Sequence, residues 1–279
     1  MSDFDPPRAV VASVVAAALA EDLGVMGDIT SLAVIPETSI TLARFVARDE
    51  GVLAGCLSAT EVYRQVDPAV IVRWDATDGT SIDAGDVLGT VEGSTRSVLA
   101  GERVALNLLG LLSGVATTTR RYVRATHGNA RILDTRKTLP GLRALQRAAV
   151  RAGGGFNHRE SLSDAVLLKD NHLAVVGVAR AVERARLRWP GRMVEVECES
   201  MEHVAAAIDA HADRIMLDNM TPDAVRAAVQ LVGGRIPIEV SGRVTVEDVG
   251  QYAAAGADFV SIGALTHSVR VLDIGLDMD

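Results

Sequence analysis

The sequence predicts a two-part α/β chain. A first part of mixed helices and hairpins leads into a parallel sheet built from six strand–helix units, arranged either as a small barrel or as an open, doubly wound sheet. Three observations carry this. After Ala130, short apolar runs alternate with helix-patterned stretches, which is the pattern of parallel strands joined by crossover helices. The runs are short and rich in apolar residues, as strands buried on both faces are. Each run then stops at a polar or glycine-containing cluster (DTRK, KDNH, ECES, LDNM, SGR, GALTH), where α/β enzymes place their chemistry. Clusters that must converge on one substrate favour the barrel.

In chain order, residues 8–22 form a helix of Ala-rich propensity after Pro6-Pro7, ended by Gly24 and Gly27-Asp28. Residues 40–50 alternate as a strand, and 52–66 acquire a helical period after Gly55. Val70–Trp74 and Val87–Glu92 are β-like, and the Asp78-Gly79 and Gly85-Asp86 pairs between them are hairpin chemistry. Residues 97–126 carry a helical apolar stripe, with Gly110 and Gly114 as candidate breaks into two helices. The domain boundary falls there, dividing 1–112 from 113–269. The six strands that follow are Ile132–Leu133, Val166–Leu168, Val194–Val196, Ile215–Leu217, Ile238–Val240 and Phe259–Ile262. Helices are expected near 141–152, 175–188, 201–210, 222–231 and 245–255.

Composition narrows the function. With 36 acidic against 28 basic residues, the net charge of −8 argues against a general nucleic-acid or anionic-membrane surface. Cys56 and Cys198 lie far apart and show no metal-ligand spacing. The first apolar run, Ala9–Ala20, is too short to span a bilayer, and a cytoplasmic protein is expected. Aromatics are only 3%, so the core must be Ala, Val, Leu and Ile.

The positive charge is concentrated. Among the 28 basic residues only Lys137 and Lys169 are lysines, and both stand in strand-end clusters. Lysine offers a compact point charge that a planar guanidinium does not. With Arg136, His158 and Arg159 they place several cations at one mouth, where like charges repel unless an anion binds. The pattern suits a carboxylate- or phosphate-bearing ligand. Glu195, Glu197 and Glu199 share one strand face, and Glu197 and Asp218 occupy comparable strand ends. Such a carboxylate pair beside a phosphate site suits Mg²⁺. Ser241-Gly242 and Gly263-Ala264 follow the last two strands, where barrels often bind phosphate, and His267 could add a donor. No Walker A or strand-linked GxGxxG pattern is present.

The run DTRKTLPGLRALQ…AVRAGGGFNHRESLSDAVLLKDNH resembles the central motif of the quinolinate phosphoribosyltransferase (nicotinate-nucleotide pyrophosphorylase) family. EDLGVMGDITS, GERVALNLLGLLSGVAT, EVECES, IMLDNM, IEVSGRV and VSIGALTHSVRVLDIGLDM fit in order, so the resemblance spans nearly the whole chain. Cys198, Arg147-Ala148 and Arg243 depart from the usual pattern without touching a charged site position. The resemblance implies an N-terminal α/β sandwich, joined by the tail 270–279, plus an incomplete parallel α/β barrel of about six strands. It implies transfer of phosphoribose from phosphoribosyl pyrophosphate to quinolinate with loss of CO2, in a cytoplasmic homodimer that uses Mg²⁺. It places Arg136, His158, Arg159 and Lys169 around the quinolinate carboxylates, and Lys137 toward pyrophosphate and ribose. Glu197 and Asp218 would face ribose and metal, with Lys137, Lys169, Glu197 and Asp218 forming the catalytic set. Ser241, Gly242, Gly263 and His267 would hold the 5′-phosphate, and Arg103 would reach into the partner's site. The rival readings are a phosphoribosyltransferase for nicotinate or another ring acid, a Schiff-base lyase using Lys137 or Lys169, and a non-catalytic anion-binding barrel.

Overall fold

A computed structural model describes residues 4–278. Its strands, in chain order, are β1 (Ile40–Ala47), β2 (Gly51–Val52), β3 (Ile71–Trp74), β4 (Ser81–Ile82), β5 (Val87–Ser94), β6 (Arg131–Leu133), β7 (Val166–Leu168), β8 (Val194–Cys198), β9 (Arg214–Asp218), β10 (Ile238–Ser241), β11 (Phe259–Ser261) and β12 (Ile274–Met278). They belong to two compact units. One contains residues up to Arg120, Thr138–Gly154 and the chain from Leu265 onward; the other contains Arg121–Lys137 and Gly155–Ala264.

The first unit is built on a four-stranded antiparallel sheet in the order β12-β1-β5-β3, beside a β2-β4 pair. Strand β12 is the C-terminal tail: it pairs with β1 from Ala43↔Met278 to Ala47↔Ile274. Phe45 stacks on Trp74 at 4.9 Å between ring centres and meets Tyr63 edge-on at 6.3 Å. The helices Arg8–Leu23 and Cys56–Val66 pack on each other, the first burying Val11, Val15 and Leu19 at four-residue spacing. A short helix, Ile29–Val34, was not expected; Asp28 starts it by accepting the N–H groups of Thr30 at 3.1 Å and Ser31 at 3.0 Å.

The expected break at Gly110 and Gly114 does not occur. Thr95–Ala125 is one continuous helix of 31 residues. The glycines serve close approach instead. The backbone of the tail crosses this helix, and Leu272 N–H donates to the Gly110 carbonyl at 3.0 Å. A Cβ on Gly110 would lie 2.7 Å from the Leu272 carbonyl oxygen, and one on Gly114 only 2.2 Å from that of Arg270. The helix is long and apolar enough to cross a membrane, but its most apolar window is 67% buried inside the protein.

All six strands expected after Ala130 form. They make one parallel sheet in the order β6-β11-β10-β9-β8-β7. The first strand lies beside the last, which is the ordering of a barrel; β6 and β7 do not pair, so the barrel is incomplete. Phe156 adds an isolated parallel bridge to Leu133 along β6. The helix expected at 175–188 is two helices, Asp170–Val176 and Val178–Arg188, parted by Gly177 at φ +73°.

Candidate active site

The register of the parallel sheet decides which side chains meet. Glu195 stands opposite Arg214; Glu197 opposite Met216, which stands opposite Glu239; Asp218 opposite Ser241. Residues level in neighbouring strands share a face, and alternate residues along a strand return to it. Glu195, Glu197, Arg214, Asp218, Glu239 and Ser241 therefore form one polar face. Glu195 and Glu239 are fully buried there, and Arg214 donates to Glu239 at 3.0 Å while its guanidinium lies 4.3 Å over the Phe259 ring.

His158 turns into this face. Its Nε2 lies 3.0 Å from Glu195 Oε2 and 3.5 Å from Glu239 Oε1, and the side chain is only 7% exposed. The ligating atoms of His158, Glu195 and Glu239 lie within 4.8 Å of one another, close enough to share a divalent cation. The other ring nitrogen, Nδ1, accepts the N–H of Arg159 at 2.8 Å. Asp134, buried at the end of β6, clamps the same loop: it accepts the His158 N–H at 2.8 Å and the Asn157 amide at 2.5 Å.

One proton in this cluster has two possible homes. Burial works against a charged His158, yet the hydrogen bonds to Glu195 and Glu239 prevail and raise its pKa to about 9. Burial also pushes the Glu195 carboxyl up, whereas Glu239 is held down against burial by His158 and Arg214. The Arg159 N–H selects between them. A hydrogen on Nδ1 would confront that N–H, so the geometry directs the ring hydrogen to Nε2, which faces Glu195. Glu195 Oε1 is buried without a hydrogen-bond partner among the described residues, a position far costlier for a carboxylate than for a neutral acid.

Arg136 and Lys137 follow β6, Lys169 follows β7, and Arg159 follows His158 in the loop between them. Burial and the neighbouring Arg136 guanidinium depress the Arg159 pKa, while Glu195, Asp164 and Glu197 oppose them. The Arg159 guanidinium donates to the Ala165 carbonyl, just before β7, at 3.1 Å. The Lys169 ammonium is in close contact with Glu197 Oε2; the lysine is half exposed and the glutamate buried. Asp218 Oδ2 accepts the Asn219 amide at 2.6 Å. Gly242, at φ +103°, must be glycine, because a Cβ would lie 2.8 Å from the Asn219 backbone nitrogen. Lys137 is exposed after β6, its N–H on Thr135 Oγ1 at 3.1 Å.

Thus Arg136, Lys137, His158, Arg159, Lys169, Glu197, Asp218, Ser241, Gly242 and Gly263 all belong to the parallel-sheet unit. Arg103 and His267 belong to the other. Arg103 is exposed on the long helix, 3.9 Å from Glu102, and His267 Nδ1 lies 2.6 Å from Ser268 Oγ. The sequence-derived set omits Asp134, Glu195, Arg214 and Glu239. An acid inside the apolar run Ile238-Glu239-Val240 was the available signal, since an ionisable group at the centre of a buried strand requires a partner.

The fold is that of an incomplete parallel α/β barrel, a class in which enzymes place their chemistry at the strand ends. The sequence model of the quinolinate phosphoribosyl transferase C-terminal domain matches residues 115–277, and that of the N-terminal domain matches 28–113. The chain belongs to the quinolinate phosphoribosyltransferase family. It is 43% identical to a probable nicotinate-nucleotide pyrophosphorylase of Bacillus subtilis, over 92% of this chain and 90% of that one. It is 42% identical to the nicotinate-nucleotide pyrophosphorylase of Mycobacterium leprae, over 99% and 98%. The solved structure of the Francisella tularensis nicotinate-nucleotide pyrophosphorylase superposes with a TM-score of 0.94 at 37% identity, covering 100% of this chain and 99% of that one.

Proposed function

We propose that the chain joins quinolinate to phosphoribosyl pyrophosphate, giving nicotinate mononucleotide, pyrophosphate and CO2, a step of NAD biosynthesis. The observation that carries this reading is the match of both quinolinate phosphoribosyl transferase domains over 28–113 and 115–277, on a chain whose Arg136 and Arg159 stand close enough to repel. Family membership supplies the reaction.

The pyridine nitrogen attacks ribose C1 and the C1–O bond to pyrophosphate breaks, its electron pair leaving with pyrophosphate. The C2 carboxylate then departs as CO2, and its bonding pair stays on the ring carbon, next to the cationic nitrogen, until a proton replaces it. Arg136, Arg159 and Lys169, with His158 beneath them, orient the two carboxylates. This holds the ring nitrogen in line with C1, a large share of the rate advantage in such transfers. Lys137 meets the pyrophosphate as its charge develops. Glu197 and Asp218 face the ribose hydroxyls, while the Ser241-Gly242 turn and Gly263 receive the 5′-phosphate.

The fit of Mg²⁺ rests on donor chemistry. Glu197 and Asp218 are oxygen ligands on one face of neighbouring strands, and Glu197 already attracts the Lys169 ammonium. These two residues would hold the ion, which when bound neutralises pyrophosphate charge. The functional unit in this reading is a homodimer in which Arg103 enters the partner's site. The exposed apolar residues Val25, Met26, Ile29, Leu32 and Val34 support a surface covered by a second copy.

Quinolinate labelled at its 2-carboxylate, with phosphoribosyl pyrophosphate and Mg²⁺, tests the reaction. Labelled CO2 and pyrophosphate should appear in equal amounts with nicotinate mononucleotide. Turnover of nicotinate in place of quinolinate would overturn it.

A further inference from the structure

We infer that Glu195 and Glu239 are positioning residues for quinolinate recognition, acting through the His158 ring on the backbone of Arg159. The inference rests on the reaction proposed above and adds to it the two buried carboxylates that fix the recognition loop.

The argument is one of hydrogen-bond direction. The imidazole has two nitrogens, and both are engaged within the protein. Nε2 points to Glu195 at 3.0 Å with Glu239 at 3.5 Å, and Nδ1 accepts the Arg159 N–H at 2.8 Å. A neutral ring can accept at Nδ1 only if Nε2 carries the hydrogen, and a buried N–H at Nε2 requires an acceptor. Glu195 is that acceptor. Without it, the ring loses its reason to present a bare Nδ1, and Arg159 loses the contact that orients its N–H.

The neighbours fit this role. Asp134 fixes the preceding peptide from the other side, through the His158 N–H at 2.8 Å. Arg214 neutralises Glu239 at 3.0 Å, so the second carboxylate can stay buried beside the first. The loop is thus held at both its backbone and its ring, by Asp134 and by Glu195. Arg159 then leaves the loop in a fixed direction, its guanidinium steadied on the Ala165 carbonyl at 3.1 Å. A displacement of a recognition fork by even a fraction of an ångström weakens the orientation of a planar dicarboxylate.

Two variants and one spectrum test this. Glu195→Leu keeps most of the volume and removes the acceptor; Glu195→Gln keeps an acceptor oxygen. Rates are measured with quinolinate varied at saturating phosphoribosyl pyrophosphate and the reverse, with thermal melting as the folding check. In Glu195→Leu the KM for quinolinate should rise about tenfold or more, with the KM for phosphoribosyl pyrophosphate moving less than about threefold. Glu195→Gln should return the quinolinate KM to within about threefold of wild type. Long-range proton–nitrogen spectra of the ¹⁵N-histidine wild-type protein, assigned with His158→Gln, should show the Nε2–H tautomer.

An unchanged quinolinate KM in a folded Glu195→Leu overturns the inference, as does an equal rise for both substrates. If Glu195→Leu does not fold, the wild-type spectrum decides, and an Nδ1–H tautomer overturns the relay. Absence of labelled CO2 from the wild-type protein overturns the reaction reading, and with it the substrate this loop would recognise. Normal CO2 release with indifferent variants overturns the positioning role alone.

Discussion

Arg159→Ala separates recognition from folding at one residue. Its backbone N–H, bound to His158 Nδ1 at 2.8 Å, is untouched by the substitution. The side chain gives up one hydrogen bond, to the Ala165 carbonyl at 3.1 Å, and relieves its repulsion from Arg136. The stability cost should therefore stay near 1 kcal/mol, a fall in Tm of about 2–4 °C for a chain of this size. The catalytic cost is larger, because the lost partner of a substrate carboxylate is charged. Such a hydrogen bond contributes about 1.5–3 kcal/mol, which converts to roughly ten- to 150-fold in kcat/KM for quinolinate. Arg159→Lys should recover little of it, since a point charge does not replace a planar fork. The assay is pyrophosphate release with quinolinate varied and phosphoribosyl pyrophosphate saturating, beside a melting curve. Wild-type KM and kcat for quinolinate would remove Arg159 from the recognition set. A collapse of Tm beyond about 10 °C would mean the side chain holds the loop, contrary to the one side-chain hydrogen bond it makes among the described residues.

Three further outcomes are expected. Arg103→Ala and Lys137→Ala should each be nearly inactive; after verified subunit exchange, roughly half of the dimers are mixed with one restored site, so about a quarter of wild-type activity should return, and none returns if Arg103 does not cross the interface. Gly114→Ala should lower stability by about 1–3 kcal/mol despite alanine's better helix propensity, because the new Cβ would lie 2.2 Å from the Arg270 carbonyl oxygen; a Tm at or above wild type would refute that close approach. Asp28→Ala should cost about 0.5–2 kcal/mol at neutral pH by denaturant unfolding. Hydrogen bonds from Ser31, then Thr30, hold the Asp28 pKa below its usual 3.8, so this contribution is present above that value and disappears as pH falls through the lowered one. The wild type and variant should converge in acid, and a gap that persists there would exclude the carboxylate as its source.

What the amino-acid order made visible, and what it hid, divides along a physical line. The parallel sheet was legible because its strands are short runs rich in apolar residues and followed by polar ones, a property local to each run. The strand-end lysines stand out because Lys137 and Lys169 are the two lysines in a chain that otherwise uses arginine. The errors arose where one stretch answers to another far away. Gly110 and Gly114 look like helix breakers by propensity, but the approach of Arg270–Leu272 makes them necessary inside an unbroken helix. The same distance in sequence concealed the buried cluster. Glu195, Arg214 and Glu239 sit on three strands, and His158 on a loop between two others. Each alone is an ordinary charged residue; only the register of β8, β9 and β10 shows that they neutralise one another. A strand period tells which residues share a face, but not which neighbour completes a hydrogen bond across it. The cations announce themselves by residue type, whereas the buried carboxylates are recognised only by the partners they meet in three dimensions.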